Sequence, residues 1–339
     1  TPEQARVYLQ ELRLLARYLE VSDADMEKGH MRCDANISMR PEGEDKLYPK
    51  TEIKNLNSFR SVERALAYEI KRQTDLWNKS TPVDYSSTRG WDEKLLKTVE
   101  QRDKEESADY RYFPEPDLKP LILSEDEINK LKATLPELPQ EKRLRFINEY
   151  GLKYIDAKLL VEDKGVAKYF EQVMSETRSW LESLDGMEGS SEEIWEQSKV
   201  KLVKSVFGWI TSELFKLFKE NNTSISDIKI TPENFAEFIT LVFSRKVNST
   251  SAQVLFKEMF DTGGDPSNIL DEKDLSQVGD TKKLNKIIEK IVKNNPDQVK
   301  EYKSGKEPLI KFFIGQAMKE TKGKADPQVL EDLFKNKLK

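Results

Sequence analysis

From Met31 to Arg40 apolar and polar side chains alternate without a break. Met31, Cys33, Ala35, Ile37 and Met39 fall on one side, and Arg32, Asp34, Asn36, Ser38 and Arg40 on the other. This period of two predicts a strand with one face on a core and the other displaying guanidiniums, a carboxylate, an amide and a hydroxyl in a row. Two readings of that polar row stay open. It is either an ordinary solvated strand face or the floor of a site that binds phosphate or orients a polar substrate. Pro41 to Pro49 is turn-rich and predicts a hairpin tip. Lys50 to Asn57 predicts the returning strand, with Thr51, Ile53 and Asn55 opposite Glu52 and Lys54.

Helical stripes flank this hairpin. Ala5, Tyr8, Leu9, Leu12, Leu15 and Leu19 recur at helical spacing in residues 1–20. Phe59, Val62, Leu66 and Ile70 predict a helix from Phe59 to about Leu76, with Ser58 as its cap. Tyr85 to Trp91 and Tyr110 to Phe113 read as extended pieces, the first closed by Gly90 and the second by Pro114 and Pro116. After Leu123 helical patterns follow almost continuously, beginning at the acidic, capped turn Ser124-Glu125-Asp126-Glu127. Beyond Val247 the helices are shorter, broken at Gly263-Gly264, Asn294-Asn295-Pro296 and Gly323-Lys324-Ala325-Asp326-Pro327. The fold class expected is α+β. It comprises a partial, antiparallel β-rich domain over 1–122, an all-α domain over 123–244 and a small all-α tail over 245–339.

Composition narrows the chemistry. The 339 residues are 37% hydrophobic and 35% charged, and no run approaches the roughly 18 apolar residues of a spanning helix. No membrane role is expected, and the compartment expected is the cytoplasm, or an organelle matrix in a eukaryote. A single cysteine, Cys33, and a single histidine, His30, exclude an internal disulfide, a multi-cysteine zinc site and a Ser-His-Asp relay. The net charge of −5 is uneven: from Lys246 onward 18 lysines face 15 acidic residues, which permits contact with a phosphate backbone. Thr1-Pro2-Glu3-Gln4 reads as a helix start and not a translational one, so the chain is expected to open within a longer protein.

Four clusters carry the candidate chemistry. They are the strand row with Arg32, Asp34 and Asn36; the returning strand with Glu52 and Lys54; Thr88-Arg89-Gly90-Trp91-Asp92-Glu93; and Asp109-Tyr110-Arg111-Tyr112-Phe113. Taken singly, the Arg89 run reads first as a common loop motif and the Arg111 run as a packed strand with a snorkelling arginine, ahead of a functional role for either. Together they supply carboxylates and guanidiniums without a nucleophile–base pair. That inventory suits phosphoryl transfer better than hydrolysis through Ser or Cys. There is no Walker loop and no GxGxxG. Glu27, in the loop before the strand, is the best-placed carboxylate for a metal. Cys33 is expected to be a small buried residue and His30 a loop histidine. Lys319, Lys322 and Lys324 form a cationic group suited to phosphate.

In this order the clusters resemble the B subunit of the tRNA-dependent amidotransferases, the GatB family. The matching stretches are MRCDANISMRP (31–41), TEIKNLNSFRSVERALAYEIKRQ (51–73), TRGWDE (88–93) and DYRYFPEPDLKPL (109–121), followed by LPELPQEKRLRFINEYGL (135–152). The region from Lys246 onward is similar to that family's YqeY-like tail, through VLFKEMFDTGGDP (254–266), NNPDQVKEYKSGK (294–306) and GQAMKETKGKADP (315–327).

The resemblance implies a carbon–nitrogen ligase subunit. ATP, with Mg2+, phosphorylates the side-chain carboxylate of Glu-tRNA(Gln) or Asp-tRNA(Asn), and ammonia displaces the phosphate. The partners implied are an amidase A subunit that releases ammonia from glutamine, a small C subunit and the misacylated tRNA. Residues 1–122 would then be the later part of a cradle-shaped, kinase-like domain, and the helical and tail domains would grip tRNA. Arg32, Asp34, Asn36, Glu52, Lys54, Arg89 and Arg111 would line the pocket or ammonia path, with Arg89 and Arg111 on phosphate charge. Asp34 and Glu52 would serve orientation or ammonia passage, Glu27 the metal, and Lys319, Lys322 and Lys324 the tRNA. The family's cradle begins upstream of the residue matching Thr1, so this chain alone is expected to be inactive. Two other readings are a catalytically silent tRNA-binding fragment and a plain helical scaffold.

Overall fold

The computed structural model describes residues 1–101, 114–181, 190–275, 281–321, 323 and 325–338. They divide into two compact units, Thr1–Lys142 and Arg143–Lys339. The division falls inside the region read from sequence as the helical domain.

The first unit opens with α1 (Pro2–Tyr18), whose Thr1 hydroxyl accepts from the Gln4 amide at 3.2 Å. Leu9, Leu14 and Tyr18 are its buried residues. The predicted stripe is therefore displaced: Tyr8 is 67% exposed and Leu12 40%. Four short strands follow, β1 (Ala35–Ile37), β2 (Thr51–Lys54), β3 (Ser87–Asp92) and β4 (Lys97–Glu100), with α2 (Phe59–Asn78) between β2 and β3. The sheet order is β1-β2-β3-β4. Pairs β1–β2 and β3–β4 are antiparallel, but β2–β3 is parallel. The expected antiparallel, β-rich domain is thus a small mixed sheet. The reason is the connection: α2 carries the chain back along the sheet, as a parallel pair requires, whereas the hairpin tip at 41–49 simply reverses it.

Only three residues of the 31–40 segment enter the ladder, yet exposure alternates over all ten, odd positions part-buried and even positions exposed. Met31, Cys33, Ala35 and Ile37 pack on a core of Leu9, Ile53, Leu56, Val62, Ala65 and Trp91. The Ser58 hydroxyl caps α2, accepting from the Ser61 amide at 3.0 Å. The buried stripe of α2 runs Val62, Ala65, Glu69, Gln73, so it ends in polar side chains that face the sheet. Past the sheet lies α3 (Glu125–Thr134), where the predicted Ser124 cap is one half of a capping box with Glu127, and which has no buried residue.

Helix α4 (Pro139–Tyr150) leads into the second unit, which continues with α5 (Tyr154–Val161), α6 (Lys164–Leu181) and α7 (Ser191–Gly208). A six-residue π-helical stretch, Trp209–Leu214, joins α7 to α8 (Phe215–Asn221). Then come α9 (Pro232–Phe243), α10 (Ser249–Thr262), α11 (Pro266–Glu272), α12 (Thr281–Asn294), α13 (Pro296–Lys303), α14 (Ile310–Glu320) and α15 (Pro327–Leu338). The breaks at Gly263-Gly264 and Asn294-Asn295-Pro296 fall between helices, as predicted, because Pro266 and Pro296 take first-turn positions that need no amide hydrogen. Helix α6 packs on α9, where Tyr169 donates from its hydroxyl to the Ile230 carbonyl at 2.9 Å and stacks edge-on against Phe235. Trp209 and Phe256 close over Phe238. A separate cluster of Leu284, Ile288, Phe313, Ala317, Leu330 and Phe334 forms the core of α12, α14 and α15. Asn248 joins the two regions by donating to the Gly323 carbonyl at 2.5 Å. Among the described residues no helix is long and apolar enough to cross a membrane.

Phe334 is fully buried, with its ring 5.6 Å from that of Phe313. Phe334→Ala is expected to cost about 3–5 kcal/mol. Urea denaturation followed by circular dichroism should show the loss as a lowered midpoint.

Candidate functional site

The outer face of the small sheet gathers the polar positions that alternation set apart from the core. The register pairs Asn36 with Glu52 and Glu52 with Thr88, placing an amide, a carboxylate and a hydroxyl in one row across three strands. Thr88 donates to Glu52 at 3.2 Å, and the Lys54 ammonium lies 3.7 Å from the other Glu52 oxygen. Glu52 is thus held from two sides while remaining a third exposed. Lys54 pairs with Gly90 in the same register.

Beyond Lys54 the strand ends because Asn55 takes a left-handed conformation (φ 63°). Asn55 therefore turns outward, and Leu56 takes the core position that alternation had assigned to Asn55. This turn opens two neighbouring cavities of about 830 Å3 each. The first has Arg32, Asp34 and Lys54 in its wall; the second is floored by Gly90 with Glu93 and Glu100 nearby; Glu27, Asn55 and Asn57 border both. Glu27 is carried by a tight loop in which the Asp25 carboxylate accepts from the Glu27 amide at 3.0 Å and Gly29 adopts φ 74°.

Of the residues singled out from sequence, the fold brings Glu27, Arg32, Asp34 and Lys54 to one cavity and sets Glu52 and Asn36 on the adjoining face. Arg89 does not join them. It pairs with Ile53, on the inner face, and is 15% exposed. Its guanidinium donates to the Thr98 hydroxyl at 2.9 Å and carbonyl at 3.0 Å, and lies 3.3 Å from Glu69 and 3.6 Å from Glu100. A Cβ at Gly90 would run into the side-chain amides of Gln101 and Asn55, which border the same cavity. Arg111, Lys322 and Lys324 lie outside the described residues. Lys319 is exposed in the last turn of α14.

Sequence reasoning passed over Glu69, Gln73 and Thr98. The signal was present in the helical spacing, since Glu69 and Gln73 continue the buried stripe of Val62 and Ala65. It also passed over the role of Glu93, which accepts from the Trp91 indole at 2.6 Å, the Ser61 hydroxyl at 2.9 Å and Arg64 at 3.0 Å. These bonds, the indole's foremost, hold the Glu93 carboxyl below its ordinary range.

Among the described residues no three His, Cys, Asp or Glu side chains stand together as a metal site. Glu27 is a single carboxylate, a donor set that fits a magnesium ion only if the ion arrives with nucleotide phosphates and water.

Residues 1–129 match the family model described as the GatB/GatE catalytic domain, and residues 192–338 match the GatB domain. Three relatives are each named as the B subunit of an aspartyl/glutamyl-tRNA(Asn/Gln) amidotransferase. That of Persephonella marina is 41% identical over 99% of this chain and 66% of its own length. That of Rickettsia canadensis is 43% identical and that of Thermotoga maritima 40%, each over 100% of this chain and 65% of the relative. The chain therefore spans slightly less than two thirds of these relatives.

Because Glu93 titrates below its ordinary value of 4.5, its bonds stabilise the fold above that pH and are lost as the pH falls through the depressed value. Glu93→Gln is expected to flatten the fall in melting temperature below about pH 4.5. Thermal melts of both proteins across that range check this; parallel curves would show that Glu93 is not the group responsible.

Proposed function

The chain belongs to the GatB family, and from that premise we propose that it acts as the B subunit of a glutamine-dependent amidotransferase. In this reading it is part of a carbon–nitrogen ligase that amidates the side-chain carboxylate of Glu-tRNA(Gln), Asp-tRNA(Asn) or both during protein synthesis. The observation that carries the reading is the meeting of Glu27, Arg32, Asp34 and Lys54 at one cavity beside Glu52.

The chemistry follows from the charges. Arg32 and Lys54 attract an anionic side chain or a phosphate and offset charge that develops when a carboxylate is activated. Glu52, steadied by Thr88 and Lys54, orients the polar ligand on the row it shares with Asn36. Asp34 adds a second carboxylate, suited to guiding ammonia along the same face. ATP and Mg2+ are the cofactors in this reading; ATP would supply the phosphoryl group and the ion would offset its charge, with Glu27 the residue of this chain that would face the ion. Arg111 keeps its expected place on phosphate charge, whereas Arg89 is assigned to the inner face. The partners are an amidase A subunit, a small C subunit and the misacylated tRNA. Residues 1–122 form the cradle portion, 123–244 the helical domain and 245–339 the tail, where Lys319, Lys322 and Lys324 meet the tRNA backbone.

The test is an assembled complex carrying this chain, supplied with ATP, glutamine and each misacylated tRNA in turn. Gln-tRNA(Gln) or Asn-tRNA(Asn) is the expected product. Lys54→Met and Glu52→Gln should each lower the rate on the order of 100-fold while glutamine hydrolysis by the amidase persists. Failure of the unaltered complex to amidate either tRNA would overturn the reading.

A further inference from the structure

The inner face of the sheet holds a buried charge that the site chemistry does not use. Glu69, on α2, has a side chain with no exposed surface. Arg72 binds both of its carboxylate oxygens at 2.9 and 3.0 Å, and Arg89 lies 3.3 Å from one. Thr98 donates to the same oxygen as Arg89. Gln73 bridges the other oxygen, at 3.3 Å, to the Thr51 hydroxyl, at 3.2 Å. One helix carboxylate thereby reaches β2 through Thr51, β3 through Arg89 and β4 through Thr98.

Stability alone does not account for this arrangement. Taking a carboxylate and guanidiniums out of water is costly, and well-packed apolar side chains often do as well or better. What the network adds is direction. Strands β2 and β3 share four register pairs, and α2 also meets the sheet through the apolar packing of Val62 and Ala65 and, just beyond β3, through Ser61 and Arg64 on Glu93. A slip of one residue would turn Glu52 inward and Ile53 outward, exchanging the two faces. Thr51 and Arg89, the residues that Glu69 reaches, are the immediate neighbours of Glu52 and Thr88, the pair bonded on the outer face.

We propose that Glu69 is a positioning residue for the reaction: by holding Arg89, Thr98 and, through Gln73, Thr51, it fixes β2 against β3 and so places Glu52 against Thr88. The role attributed to the reaction rests on the amidotransferase reading; the fixing of register does not.

The experiment compares Glu69→Gln, Glu69→Met and the double variant Glu69→Met with Arg89→Met in the assembled complex. Glu69→Gln is expected to lower kcat for the misacylated tRNA by roughly ten- to a hundredfold, the order of loss that an ångström-scale misplacement causes, with KM within about twofold. Hydrogen–deuterium exchange should quicken in peptides covering 50–56 and 86–92 and stay unchanged in the second unit. Glu69→Met, which leaves guanidiniums uncompensated, should lower the melting temperature. The double variant should regain it but not regain kcat, because packing replaces the buried charges and the directional bonds stay lost. A Glu69→Gln variant with ordinary kcat and exchange, or a double variant that regains kcat along with its melting temperature, would overturn the proposal. If the unaltered complex has no amidation activity, the functional reading falls by itself, and selective exchange in 50–56 and 86–92 still decides whether Glu69 sets the register.

Discussion

Strands of three to six residues form too few ladder bonds to hold a sheet in register unaided, and the first unit is organised around the helix that supplies the missing constraint. Helix α2 lies against the inner face with an apolar half and a polar half. Val62 and Ala65 pack with Ile53 and Trp91, while Glu69 and Gln73 grip Arg89, Thr98 and Thr51. The apolar contacts supply most of the driving force, since burial scales with area. The charged contacts add directional bonds from the helix to β2, β3 and β4.

The two faces consequently divide the polar residues of the chain into different tasks. On the inner face each charge is opposed by a partner at hydrogen-bond range, and little surface remains for a ligand. On the outer face Arg32, Asp34 and Lys54 stay accessible around a cavity, and Glu52 is restrained by Thr88 and Lys54. Accessible charges of both signs beside a cavity are what a polar, multiply charged substrate requires. Arginine serves on both faces here: Arg32 reaches the cavity, whereas Arg89 braces the strand.

The second unit solves a different problem with a different material. Its helices meet through aromatic clusters, Phe146 with Tyr150 and Phe170, and Trp209 with Phe238 and Phe256, at edge-on or tilted angles that suit the ring quadrupoles. Helix α12 and its neighbours close over their own core, and Asn248 ties the cap of α10 to the Gly323 carbonyl. These cores leave Lys319 and Lys290 on the surface, the latter 3.2 Å from Glu320.

Alternation along 31–40 and 51–54 was enough to separate core residues from outer-face residues, because a strand's side chains change sides at every step whatever the strand pairs with. Ser58, Ser124 and the prolines at helix starts were legible for a similar reason: a cap satisfies amides of its own helix within one turn. The motifs of 31–41, 51–73, 88–93 and 109–121, in that order and with those of the tail, carried the family. What the sequence by itself left open was which arginine faces which way, since Arg32 and Arg89 each sit in a polar, motif-like setting. That depended on β2 and β3 pairing in parallel through α2, a long-range register that places Arg89 beside Ile53 and over Glu69. Asn55 likewise broke the alternation only because the chain must leave the sheet there. Local periodicity determined the faces; tertiary contacts between residues far apart in the chain, which no local pattern encodes, decided which of them became the site.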